Sequence, residues 1–235
     1  MAATPIIALA STKGGVGKTT LAFCLATTIA RRMSGLSDDR SADMPEDRPT
    51  DLSVICLDAD PNQTLFQTIR RGKPSGVEAD VATSDTLLEA VSGASRRARL
   101  VLIDLEGSSN QAMLYACGKA NLVLIPAQPS MFDVVEAMKT LSVVARAADL
   151  TGREIQARVV LTRTPVLRQR VHEHSRKQFE QRGLPLLSGE LVERAAFRMM
   201  SYTGRSPAEE DVGGGAARNV DALVDEVCGL LGLTP

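Results

Sequence analysis

Residues 13–20 read Lys-Gly-Gly-Val-Gly-Lys-Thr-Thr; they follow the apolar run 5–11 (PIIALAS) and open a helical pattern. A strand that enters a glycine-rich turn and then a helix leaves successive backbone N–H groups facing one point. The positive end of the helix dipole faces the same point, and both favour phosphate. Lys18 adds a point charge suited to the β- and γ-phosphates of a nucleotide, and the Thr19 hydroxyl is a ligand type for Mg²⁺. The general pattern G-x-x-x-x-G-K-[ST] requires glycine at position 12, where this chain has Thr12. The form that fits is K-G-G-x-G-K-[ST], which arises by chance on the order of once in ten million positions.

Around this loop the chain alternates short apolar runs with helical patterns. The runs 5–11, 53–58, 100–104, 121–125 and 157–162 read as strands buried on both faces. Helices are expected at 18–33, at 131–148, where Val134, Val135, Met138, Leu141, Val144 and Ala145 keep helical spacing, and at 216–231. This order predicts an α/β fold with a mostly parallel twisted sheet and helices on both faces. At 235 residues it should form one domain over 1–235, with a surface loop insertion at 34–51 and a C-terminal helix within 216–235. The Gly213-Gly214-Gly215 run reads as a joint before that last helix.

Two acidic motifs follow at strand ends. Asp58-Ala59-Asp60-Pro61 closes the second apolar run, and Asp104-Leu105-Glu106-Gly107 closes the third. A carboxylate at such a position beside a phosphate loop is a Mg²⁺-linked acid, and the glycine of D-x-x-G can follow a γ-phosphate through its amide. A lone strand-end Asp more often caps the next helix, so the weight rests on the three motifs in order.

Lys13, Asp58-x-Asp60-Pro61, Asp104 with Gly107, and Pro126-x-x-Pro129-x-x-x-Asp133 resemble the ParA/MinD family of deviant P-loop ATPases. The resemblance implies ATP and Mg²⁺ as ligands and a homodimer in the ATP state, with ATP sandwiched between subunits. It implies that Lys13 crosses to the partner's phosphates, that Asp60 orients the attacking water, and that Asp58 lies near the Mg²⁺ shell. The expected catalytic set is therefore Lys13, Lys18, Asp60 and Asp104. The expected ATP contacts are Lys13, Gly14, Gly15, Val16, Gly17, Lys18, Thr19, Thr20 and Gly107, with Arg163 and Pro165 near adenine. Thr19, Asp58 and Asp104 are the expected Mg²⁺ ligands, partly through water. Asn62-Gln63, Glu106 and the run Glu193-Arg194-Ala195-Ala196-Phe197 are closer to the VirC-type branch, which assists conjugative DNA transfer.

The net charge of −1 hides an uneven distribution. Residues 151–205 carry eleven Arg or Lys against five acids, whereas 206–235 carry six acids against Arg218 alone. Arg168, His172 and Arg176 fall on one helical stripe, and Arg194, Arg198 and Tyr202 on another. Arg168, Arg170, Arg176, Lys177, Arg194 and Arg198 are thus the candidates for nonspecific DNA contact. The acidic tail argues against membrane attachment, which needs a cationic amphipathic helix. Four scattered cysteines without C-x-x-C spacing fit reduced buried thiols, and two histidines two residues apart do not suit a metal. The expectation is a cytoplasmic ATPase, nucleoid-associated when ATP-bound, acting in plasmid or chromosome partition with a ParB-like partner. A VirC-like role on a relaxosome, or MinD-like positioning of a protein cargo, is the alternative.

Overall fold

The structure, a computed structural model, describes residues 3–35, 52–107, 110–167 and 170–233. Most of the expected 34–51 loop and the candidate Arg168 lie outside the described residues. In chain order the elements are β1 (Ile6–Leu9), α1 (Lys18–Gly35), β2 (Val54–Ala59), α2 (Thr64–Gly72), β3 (Val77–Val81), α3 (Leu87–Arg97), β4 (Leu100–Leu105) and α4 (Asn110–Lys119). They continue with β5 (Leu122–Ala127), α5 (Met131–Thr151), β6 (Gln156–Thr164), α6 (Arg170–Gln181), β7 (Leu186–Val192), α7 (Ala195–Thr203), α8 (Pro207–Glu210) and α9 (Gly215–Leu231).

The strands form one parallel sheet in the order β3-β2-β4-β1-β5-β6-β7. Side chains alternate across a strand, so each central strand feeds two cores. Ile6, Ile55, Leu57, Val101, Ile103, Val123 and Ile125 point to one face, where α3, α4 and α5 cover them with Leu87, Met113 and Val134 among others. Ile7, Leu9, Val54, Cys56, Leu100, Leu102, Leu122 and Leu124 point to the other face, under α1, α2 and α9. Apolar residues are needed on both faces, which is why β4 and β5 are buried throughout.

The expected α/β architecture is the observed one. Two strands had no apolar run to announce them. β3 and β7 are the sheet edges, and of their sequences VEADV and LLSGELV only Val77, Leu187 and Leu191 are buried. Each has one covered face at most, so a continuous apolar pattern is not required. The four cysteines are free and buried. Among the described residues no helix is long and apolar enough to cross a membrane.

The register brings the acidic motifs level. Asp58 on β2 is opposite Asp104 on β4, and Asp104 is opposite Leu9, the last residue of β1. Three adjacent strands therefore end together beside the glycine-rich loop, the place where open α/β sheets bind ligands.

Candidate nucleotide site

The loop after β1 is held in shape by its glycines and by buried anchors. Gly15 (φ 73°) and Gly17 (φ 94°) occupy backbone conformations that L side chains rarely adopt. Val16 between them is buried, and its carbonyl accepts a 2.7 Å hydrogen bond from the Thr162 hydroxyl at the end of β6. α1 starts at Lys18, so its first amides open onto the loop. The Lys18 side chain folds back and donates to the Lys13 carbonyl at 3.1 Å. Burial pulls its pKa below the usual lysine value, while Asp104, Asp60 and Glu106 pull it back up.

A cleft of about 490 Å³ lies over this loop, lined by Thr12, Gly14, Gly15, Gly17, Lys18, Thr19, Thr20, Asp60, Asn62, Glu106, Gly107 and Arg163. On its floor the Thr19 hydroxyl donates to Asp104 Oδ2 at 2.7 Å. Asp104 is 1% exposed, and its Oδ1 is buried without a hydrogen-bond partner. Burial pushes the Asp104 carboxyl up to about 7, against the opposing hydrogen bond from Thr19. A hydroxyl beside a carboxylate with one unsatisfied oxygen is a set of hard oxygen donors, and it fits a Mg²⁺ ion completed by phosphate and water. Among the described residues no group of three or more His, Cys, Asp or Glu could hold a metal by itself.

The two aspartates after β2 separate in role. Asp60 lines the cleft, and its Oδ1 accepts the Asn62 amide at 2.8 Å. Asp58 is fully buried: Oδ1 accepts the Asp60 amide at 3.0 Å and Oδ2 the Phe66 amide at 2.9 Å. Its two oxygens fix the turn into α2, one strand across from Asp104. Gly107 lines the same cleft, against the backbone of Lys13 and Gly14. A Cβ there would stand 2.9 Å from the Lys13 carbonyl carbon, so only glycine lets the two loops touch.

Lys13, expected to reach a partner's phosphates, rests here against its own subunit. Its Nζ lies 2.8 Å from Asp133 Oδ2 in α5, and Lys13 is not among the residues that line the cleft. Asp133 is itself buried and also accepts the Ser130 hydroxyl at 2.5 Å and the Gln128 amide at 3.1 Å. Thr12 is pinned to the same helix, its hydroxyl donating to Glu136 at 2.6 Å and its amide to the Thr140 hydroxyl at 3.3 Å. Sequence reasoning missed Glu136, Thr140 and Thr162 as partners of this loop. Contacts across more than 120 positions leave no local signal. Of the two residues expected near adenine, Arg163 lines the cleft at φ 51°, while the half-buried Pro165 does not.

No protein-family model matches the chain. Protein ParA of Rhizobium radiobacter is 28% identical over 204 residues, spanning 85% of this chain and 83% of that protein. The sequence likeness to ParA, the loop 13–20 and the fold together support a ParA/MinD-type P-loop ATPase. Solved ParA/MinD structures share its fold. An ATP complex of McdA from Cyanothece superposes with a TM-score of 0.72 at 17% identity, covering 100% of this chain and 99% of that one. MinD of Pyrococcus horikoshii OT3 with Mg-ADP gives 0.68 at 17% identity over 97% of each chain. A plasmid partition protein of Borrelia burgdorferi gives 0.64 at 14% identity, over 97% of this chain and 99% of that one.

The basic candidates for DNA contact are not equivalent. Arg176 is committed to the interior joint of α6 and β7, with Glu190 at 2.8 Å, Glu180 at 3.3 Å and the Leu187 carbonyl at 3.0 Å. Arg194 precedes α7 and reaches Asn219 at 3.3 Å, and Arg198 pairs with Glu193 at 2.8 Å. Lys177 is exposed on α6, and Arg170 opens that helix. The expected stripe through Arg168 and His172 lies on side chains outside the described residues, and its third member, Arg176, faces acids.

Proposed function

We propose that this protein is a Mg²⁺-dependent ATPase that dimerises around ATP, holds DNA nonspecifically in that state, and serves plasmid or chromosome partition. One observation carries the reading: Thr19, the half-satisfied carboxylate of Asp104, Lys18 and Asp60 meet in a cleft built on the loop 13–20. The backbone amides of Gly14, Gly15 and Gly17 and the start of α1 bind the phosphates, and the Lys18 ammonium leaves the Lys13 carbonyl for the β- and γ-oxygens. Thr19 and Asp104 hold the metal, with Asp58 behind them through the turn it fixes. Bound Mg²⁺ supplies charge neutralisation between the phosphates. Asp60 orients the attacking water at the mouth of the cleft. Lys13 of each subunit reaches the other's phosphates after leaving Asp133, and its charge then favours the transferring phosphoryl group. Gly107 senses the γ-phosphate and passes its loss to the Lys13 backbone it touches.

A ParB-like protein is the expected stimulating partner, and the protein works in the cytoplasm, on the nucleoid when ATP-bound. The likeness to ParA of Rhizobium radiobacter favours partition over protein positioning, whereas Asn62, Gln63 and Glu106 keep a relaxosome as the second cargo. The decisive measurement is the ATPase rate with and without random duplex DNA and candidate partners, alongside salt-dependent DNA retention. Turnover that ignores Mg²⁺, or ATP-bound protein that DNA never retains, would remove the corresponding half of the proposal.

A further inference from the structure

We infer that duplex DNA docks on the seam between α2 and α7, and that α2 transmits the state of the nucleotide site to it. The inference rests on the DNA-holding reading above and adds the surface and its control.

The two ends of α2 differ in chemistry. At its start the Phe66 amide is bound by Asp58, and just before it Asp60 and Asn62 line the nucleotide cleft. At its end Arg70, Arg71 and Lys73 are exposed. Nine residues separate the two ends by about 13 Å, a length that a helix carries as one rigid piece. Arg97, Arg176 and Arg198 are each neutralised by an acid, but none of Arg70, Arg71 and Lys73 has a carboxylate within 4.0 Å among the described residues.

Cations at a helix C-terminus also favour the dipole, and that bland role explains Arg70 and Arg71 in part. It does not explain Lys73. This residue holds the left-handed conformation (φ 47°, ψ 53°) that glycine adopts at lower cost, by roughly 1 kcal/mol. A cationic side chain thus stands where the backbone favours glycine. Arg70 is steadied over the Phe66 ring, 5.4 Å from its centroid. Arg70 and Lys73 rim a shallow groove of about 290 Å³ against β3, whose Glu78 is turned to Arg97 at 2.5 Å. The groove's larger apolar residues, Ile69 and Val77, are buried below the rim. Within the groove the rim offers charge and no exposed aliphatic anchor, which suits a phosphate backbone better than a protein, whose docking needs a desolvated centre.

α7 completes the surface. Gly72 and Gly204 touch backbone to backbone, with no room for a Cβ on Gly72, and Arg71 donates to the Ser201 carbonyl. The contact places exposed Tyr202 and Arg205 beside the α2 cations. Two glycine backbones form a smooth seam along which α2 can shift when Asp60 and Asn62 respond to the nucleotide. The cations of α2 and α7 then come into or out of common reach of one duplex.

The test uses the full chain with Mg-ATP and with Mg-ADP, random-sequence duplex DNA, and a salt series. The expected result for the double variant Arg70→Glu/Lys73→Glu is at least tenfold weaker binding in Mg-ATP and a log–log salt slope smaller by about 2. Its ATPase rate without DNA should be unchanged, and Lys177→Glu should cost less than about threefold in DNA affinity. Amide exchange across 64–72 should differ between Mg-ATP and Mg-ADP, and Gly72→Ala should bring the ATP-to-ADP ratio of DNA affinities near one. Wild-type protein that never binds duplex in Mg-ATP overturns the DNA reading itself. Wild-type binding with an unaffected double variant overturns the surface, as does loss of binding to immobilised polyglutamate with DNA affinity intact. Identical exchange across 64–72 in both nucleotides overturns the transmission, even if Gly72→Ala fails to fold.

Discussion

Replacing Asp133 with Asn should weaken the fold and strengthen the ATP-dependent dimer, and the opposed signs make it a sharp test. The side chain keeps its volume. Its amide oxygen still accepts the Gln128 N–H, and its NH₂ can face the Ser130 hydroxyl, which rotates to suit. What disappears is the charge that holds Lys13 at 2.8 Å. Asp133 is 2% exposed and Lys13 38%, so the pair lies between a surface ion pair, about 0–1 kcal/mol, and a charged hydrogen bond, about 1.5–3 kcal/mol. A value of about 1.5 kcal/mol lowers the melting temperature by about 3–6 °C in a domain of this size. The same contact holds Lys13 out of reach of a partner, so its removal raises the fraction of competent subunits roughly tenfold. Sedimentation of the protein over a concentration series with Mg-ATP gives the dimer constant, and calorimetry without nucleotide gives the stability. A lower melting temperature with an unchanged or weaker dimer would show that Asp133 merely shapes α5. Lys13→Ala is the complement: it should abolish ATP-dependent dimerisation and turnover together.

Further substitutions probe the cleft itself. Gly17→Ala puts a side chain at φ 94°, and nucleotide affinity should fall at least tenfold by titration calorimetry, with the strain costing about 1–3 kcal/mol. Thr162→Val removes the hydroxyl that binds the Val16 carbonyl at 2.7 Å. It should cost about 1–3 kcal/mol of stability by denaturant titration and weaken ATP binding as the loop loosens. Asp104→Asn should reduce Mg²⁺-dependent turnover by about two to three orders of magnitude. It should leave metal-free stability unchanged or higher, because a buried carboxylate with an unpartnered oxygen is costly to keep charged. A variant that melts markedly earlier without metal would contradict that account of Asp104.

What could be read from sequence was what the chain settles over short distances. The loop 13–20 declares itself because the glycine conformations, the following helix and Lys18 are consecutive. The central strands declare themselves because burial on two faces demands an unbroken apolar run. β3 and β7 lack that demand at the sheet edges, and the eye passes over VEADV and LLSGELV. Asp58 and Asp104 were both visible as strand-end acids, and the register does set them opposite one another. Their difference arises from what lies beyond the strand. A backbone turn into α2 occupies both oxygens of Asp58, whereas only Thr19 reaches Asp104. Arg176 read as part of a DNA stripe because helical spacing says which face a residue shares, not which acids another strand brings to it.

Lys13 is the fullest case. Its position carries the family resemblance, yet its partner here is 120 residues away, on a helix whose spacing says nothing of a bond to the loop. The residue expected to mark an interface is therefore also the one whose resting contact only the tertiary structure can supply. A lysine bound to a buried aspartate in its own subunit cannot serve a partner at the same time, so the proposed dimer has to compete with that bond. On the proposed reading, the sandwich that the resemblance implies and the Lys13–Asp133 contact are two positions of one side chain. The balance between them is what Asp133→Asn shifts.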